Sequence, residues 1–234
     1  GIGYGLDREI TLPVVSVVTD PKNLWDDKIG IYCEGTNGIP GKCTDRPVNW
    51  NCDWSRSANV ELIDDSEQVF SQECDISIGG QCSLRWPLKT LKLNTEKKYN
   101  GQNHFLHPFF RAKPGLRYKS LYLRNSGDDS QTTTMRDGML QSIIEGVLDL
   151  EHQAYQPTVH YINGEYYGII NLRERNNHNY VYSNFGYDKD SIDLLFGAGA
   201  ASCGSGEAFI ELVSQSVNAD NVSVYEDITQ KVDI

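Results

Sequence analysis

The chain has 234 residues, long enough to bury a substantial core, with 39% hydrophobic and 10% aromatic residues, the composition of an ordinary globular protein. Its 32 acidic and 21 basic side chains leave a net charge of -11, which argues against nucleic acid or an anionic membrane surface as the main partner. No run approaches the roughly 20 apolar residues of a membrane span, and the opening, GIGYGLDREITLP, has no signal-peptide pattern and reads as an internal stretch of a longer protein.

In chain order, residues 12–19, LPVVSVVT, are a β-branched apolar run that predicts a buried strand. An irregular stretch rich in Gly, Pro, Asn and Cys follows, from Asp20 to about Trp54. A stretch of that length inside a domain is expected to be stapled or functional. ANVELID and CDISIGG predict two strands around the acidic turn at Asp64 and Asp65, PLKTLKL a third and KSLYLRNS a fourth. The clearest helix is expected over 134–148, with Met135, Met139, Leu140, Ile143, Ile144 and Val147 on one side. Arg136 falls near the middle of that apolar face, so it needs an anionic partner. A structural ion pair with Asp128 or Asp129 is the plain alternative to a ligand contact. TVHYINGEYYGIINLRE predicts a hairpin turning at Asn163-Gly164. GAGAASCGSG, residues 197–206, is expected as a flexible loop ahead of two helical segments. The first carries Phe209, Leu212, Val213 and Val217 on one face, and the second has a capping-box spacing from Ser223 to Glu226.

Five of the six cysteines, Cys33, Cys43, Cys52, Cys74 and Cys82, fall early, and Cys203 stands alone. Their spacing lacks the close pairs of a zinc site and suggests disulfides formed in an oxidising compartment, with Cys74–Cys82 the expected pair across the glycine turn. Asn221-Val-Ser fits an N-glycosylation acceptor weakly. The pairs Asp26 with Asp27 and Asp128 with Asp129 could bind Ca, with solvated turns as the alternative. G-x-S-x-G, H-E-x-x-H, a P-loop, H-R-D and D-F-G are all absent.

The stretch SIGGQCSLRWPLKTLKL, residues 77–93, raises the functional question. Strand alternation puts Lys89, Leu91 and Leu93 on one face and Leu88, Thr90 and Lys92 on the other. If Leu91 and Leu93 are core, Lys89 sits at the mouth of the same face, where it meets an anion or snorkels to water. The glycine pair is either a phosphate-cradling turn or an ordinary one.

Taken in order, LPVVSVVTDPKNLWDDKIGIY, GG before PLKTLKL, LYLRNSGDD with MRD, YINGEYYGIINLRERNNHNY and FGYDKDSIDLL resemble the spore-coat CotH kinase family over residues 12–195 or so. The resemblance implies an α+β fold: a protein-kinase-like N-lobe, mostly antiparallel sheet with one packed helix, over 1–196, then the loop at 197–206 and the start of a helical C-lobe over 207–234. It implies an extracytoplasmic, secreted or surface kinase that uses ATP and a divalent metal, Mg or Mn, to phosphorylate serines of protein partners. Lys89 would contact the ATP phosphates, and Gly79 and Gly80 would form the covering turn. Arg136 and Asp137 match the arginine-acid start of the family's helix, and Glu174 the glutamate ending the hairpin strand. Ile78 replaces the family's histidine and Arg85 is displaced. The resemblance places the family's asparagine and tryptophan-aspartate-x-aspartate segment downstream of where this chain stops, so the chain is expected to be an incomplete front lobe and no metal ligand is assigned. A non-catalytic surface-binding or adhesion module on the same fold is the rival expectation.

Overall fold

The computed structural model describes residues 11–232 apart from 100, 102, 112, 114 and 116. The opening stretch 1–10 lies outside the described residues. Two compact units divide between Arg175 and Asn176.

In the first unit, β1 (Val14–Val18) leads to α1 (Pro21–Trp25), the hairpin β2 (Ile39–Gly41) and β3 (Thr44–Val48), then β4 (Ser55–Asp64), β5 (Glu67–Gly79), β6 (Thr90–Asn94) and β7 (Ser120–Arg124). Helix α2 (Arg136–Ile144) and the hairpin β8 (Tyr155–Ile162) and β9 (Glu165–Glu174) complete it. Seven strands close into a barrel in the order β1-β4-β5-β6-β7-β9-β8. Every pairing is antiparallel except the closing one, β1 with β8, where Val14 faces Val159 and Val17 faces Ile162.

Period-two alternation fills the interior. Val15, Val17, Val60, Leu62, Ile76, Ile78, Leu91, Leu93, Leu121, Leu123, Ile170 and Leu172 are all buried. Phe105, Phe109 and Phe110 join them, with Phe70 packed edge-on against Phe105 and Phe109. A barrel of about eight strands has room inside only for side chains, and each such side chain contributes roughly 1.5–3 kcal/mol by leaving water. The β8–β9 hairpin turns at Asn163 (φ 49) and Gly164 (φ 83), the two left-handed residues of a type I′ turn. The Asn163 carboxamide also accepts the Thr19 N–H at 2.9 Å, tying the turn to the end of β1.

The expected fold class is corrected here. The sheet is not the open sheet of a kinase-like N-lobe with a packed helix; it is a closed mixed barrel, because β8 returns to pair with β1 and leaves no free edge. Nor does the helix bury the expected face. It runs over 136–144, and Met139, Leu140, Ile143 and Val147 are exposed, because the barrel interior is already full and α2 lies outside it. PLKTLKL becomes strand only from Thr90, which leaves Lys89 just ahead of β6.

The irregular stretch is stapled, as expected of its length. The Asn49 amide donates to Asp27 O and Gly30 O at 3.0 Å each, and Cys43 bonds to Cys82 with Cα atoms 5.1 Å apart. This corrects the Cys74–Cys82 pairing: Cys74 points into the barrel, fully buried, whereas Cys82 lies beyond the end of β5 and meets the β2–β3 turn. Burial pushes the Cys74 thiol up to about 12.

The second unit holds α3 (His178–Phe185), the hairpin β10 (Leu194–Phe196) and β11 (Ala200–Cys203), then α4 (Glu207–Ser216) and α5 (Val222–Thr229). Strand β11 thus occupies part of the expected 197–206 loop. In place of the start of a helical lobe, this unit has short helices beside a two-stranded sheet. Asn221, the glycosylation candidate, caps α5 by accepting the Ser223 N–H at 3.0 Å. No helix among the described residues is long and apolar enough to cross a membrane.

Candidate functional site

Strand β5 ends at Gly79, and Gly80 turns the chain with φ +107, a conformation open to glycine. A 3-10 turn, Cys82–Arg85, follows, with Leu84 packed against the core. An open cleft of about 590 Å³ lies between residues 80–83 and the loop holding Gly127 and Asp128, with Lys92, Tyr122, Arg124 and Arg175 along it. Alternation explains this lining. Leu91 and Leu93 of β6 and Leu121 and Leu123 of β7 point inward, so Lys92 and its register partner Tyr122 point outward, as does Arg124 two residues on. Ser126, at the start of the opposing loop, holds φ 66, left-handed for a residue with a β-carbon. Its hydroxyl donates to Thr134 O at 2.5 Å and accepts from the Asn171 amide at 2.5 Å, which fixes the strained turn.

The three cations have different neighbours. Lys92 lies 3.5 Å from Asp53, whose side chain is 92% exposed, a solvated pair that holds it weakly. Arg175 donates to the Asn94 carboxamide at 3.0 Å and stacks over Tyr122 with its guanidinium carbon 5.6 Å from the ring centre. Arg124 donates through Nε to Asp137 at 3.0 Å. Asp128 is the acidic residue along the cleft.

The residues expected from the resemblance are placed apart. Gly80 lines the cleft and Gly79 lies beside it at the strand end; a β-carbon on Gly79 would stand 3.2 Å from Lys92 Cγ. Lys89 is 3% exposed and does not line the cleft. Its ammonium donates to the carbonyls of Leu84 and Trp86 and sits 3.8 Å from the centre of the Trp50 ring. Desolvation there lowers its pKa to about 8. Arg136 is largely exposed and pairs with Asp129 at 3.6 Å, one of the two structural partners the sequence allowed. Asp129 accepts from the hydroxyls of Thr132 and Thr133 and from the Arg136 N–H, and these bonds hold its carboxyl well below the usual range. Asp137 receives Arg124 and the buried Arg173. Glu174, 2% exposed, accepts from Lys113 at 3.2 Å and from Ala154 N–H at 2.9 Å.

Lys92, Arg124 and Arg175 are the residues that reading the sequence passed over. For Lys92 and Arg124 the signal was there in the alternation, as cations on the faces opposite Leu91–Leu93 and Leu121–Leu123; Arg175, just past the end of β9, carried no such signal. Among the described residues no group of three or more His, Cys, Asp or Glu could hold a metal ion. The carboxylates of the expected Ca pairs are in part committed to backbone, with Asp26 accepting from Lys28 and Ile29 N–H at 2.8 and 3.1 Å.

No curated protein matches the sequence. The family model described as CotH kinase protein matches residues 76–234, from the last part of β5 through the cleft, the β8–β9 hairpin and the second unit. That match covers more than half of the chain, and the protein therefore belongs to the CotH kinase family.

Proposed function

We propose that this chain carries the nucleotide-holding part of an extracytoplasmic CotH-type protein kinase, with the phosphate chain of ATP in the cleft beside Gly80. The observation that carries the reading is a convergence of donors. On a protein of net charge -11, Lys92, Arg124 and Arg175 meet along one cleft whose own acidic residue is Asp128, while Asp53 and Asp137, outside the lining, pair with Lys92 and Arg124. Its volume, about 590 Å³, is that of small-ligand sites. Lys92 and Arg175 keep donors for phosphate oxygens, and Arg124, held through Nε, has Nη2 3.5 Å from where a Gly127 β-carbon would stand. ATP would supply the phosphoryl group; these residues bind and orient its anionic chain. The residues fit the phosphates but not the metal, for which the described residues offer no ligand group, so no transfer step is derived. Serines of secreted or surface proteins are the acceptors this reading expects, and the Cys43–Cys82 disulfide supports its extracytoplasmic setting.

A second reading, a surface-binding module without catalysis, is favoured by the enclosure of Lys89 away from the cleft. Calorimetry with ATP, with and without Mg or Mn, separates the two. Under the kinase reading the protein binds ATP, and Lys92→Ala and Arg175→Ala each weaken binding about tenfold, the loss of one charge-assisted contact. Wild-type protein that binds no ATP with either metal sinks that reading in favour of the binding module.

A further inference from the structure

The rim of the cleft, residues 80–86, has little to hold it from within. Leu84 N–H reaches Gln81 O at 3.5 Å and Trp86 N–H reaches Ser83 O at 3.2 Å. Gly80, at its start, turns the chain at φ +107. Leu84 packs against the core from the middle of the rim, and two further anchors, one covalent and one polar, hold its ends. Cys82 is bonded to Cys43 in the β2–β3 turn. Further along, the Lys89 ammonium takes the carbonyls of Leu84 and Trp86, the latter at 3.1 Å.

Both anchors lead back to one segment. Lys89 is covered by Trp50, and its own N–H donates to the Tyr32 hydroxyl at 2.9 Å. Cys43, Trp50 and Tyr32 belong to the stretch fixed by the Asn49 amide. A buried ammonium facing two carbonyls and a ring is costly to desolvate, and those contacts compensate the cost only while the 84–86 backbone stays in place. The lysine therefore fixes the rim from its outer end, as the disulfide fixes it at Cys82.

We propose that Lys89 and the Cys43–Cys82 disulfide are positioning elements that together fix the 80–86 rim of the polyphosphate cleft, so that the cleft reaches its binding geometry only in the oxidised protein. This rests on the nucleotide reading of the cleft. Lys89 then acts through the rim rather than on phosphate, and the site stays loose in a reducing compartment and tightens after export, when a thiol-disulfide oxidant takes two electrons and two protons from the Cys43 and Cys82 thiols.

The test measures tripolyphosphate and ATP binding by calorimetry on oxidised protein and on protein treated with a water-soluble phosphine. The phosphine breaks the S–S bond, yields two thiols and leaves as its oxide with the oxygen of water. Thiol counting verifies the reduction, and near-UV circular dichroism verifies the fold. Reduction is expected to weaken both ligands about tenfold, the cost of ordering a freed rim on binding. Cys43→Ser, which leaves Cys82 in the cleft, should bind like reduced protein and no longer respond to phosphine. Lys89→Met should weaken binding of the folded, oxidised protein, and Lys89→Arg should restore part of it. Lys92→Ala should weaken binding in both redox states alike.

Equal affinity of oxidised and fully reduced wild-type protein overturns the positioning role while leaving the nucleotide reading in place. Absence of binding of either ligand by the oxidised wild type overturns the nucleotide reading and the proposal with it. If Cys43→Ser does not fold, the phosphine arm on wild-type protein decides alone.

Discussion

Gly138 of α2 lies so close to Tyr155 of β8 that a β-carbon on the glycine would stand 2.4 Å from the tyrosine Cε2. This contact seats a helix whose own apolar residues face solvent. Gly138→Ala is expected to lift α2 from the barrel and cost about 1–3 kcal/mol, the usual penalty of overpacking, despite the better helix propensity of alanine. Urea unfolding of the variant beside Gly146→Ala, a site with nothing within 4 Å but a positive φ of 69, separates the steric term from backbone strain. Equal or greater stability of Gly138→Ala would refute the seating contact.

His160 is completely buried, with Nδ1 3.4 Å from Val15 O and Nε2 without a hydrogen-bond partner. Burial lowers its pKa to about 4. The unfolded chain therefore binds this proton first as pH falls, so stability should decline from about pH 6.5 through pH 4. The loss from this residue is on the order of 3 kcal/mol when complete. In His160→Gln, thermal melts from pH 7 to pH 4 should show a correspondingly smaller decline. An unchanged slope would assign the acid limb to the carboxylates instead.

Asp137 is the partner of Arg173, whose side chain is 1% exposed and whose guanidinium also reaches the Gln153 carboxamide at 3.1 Å. Asp137→Asn leaves a buried cation with a weaker partner. Because Asp137 is itself 37% exposed, the expected cost is about 1–3 kcal/mol, below that of a fully buried pair. The same change frees Arg124, so ATP binding should weaken beyond any effect of stability. Chemical denaturation and calorimetry on the one variant check both outcomes, and the double variant Asp137→Asn with Arg173→Met should recover stability but not binding.

Much of the barrel was legible because local rules agreed with the tertiary outcome. VVSVV, ANVELID and CDISIGG alternate or run apolar as strands do, and Asn163-Gly164 names its own turn. The helix at 134–148 misled because Met139, Leu140, Ile143 and Val147 have the spacing of a buried stripe, and spacing does not reveal whether an interior remains to receive it. Alternation predicts the direction of Lys89 only if β6 extends back through it. Once the strand begins at Thr90, alternation from Leu91 no longer fixes where the lysine points.

By itself the sequence determined the seven barrel strands, with the β8–β9 hairpin among them, the glycine turn and the family, since each rests on side-chain pattern within a few residues or on ordered motifs; the short pairs β2–β3 and β10–β11 carried no such pattern. Only the tertiary structure decided the closure of β1 on β8, the Cys43–Cys82 pair and the convergence of Lys92, Arg124 and Arg175. These join residues far apart in the chain, and what brings them together is a closed sheet filling its interior, a global condition that no local pattern encodes.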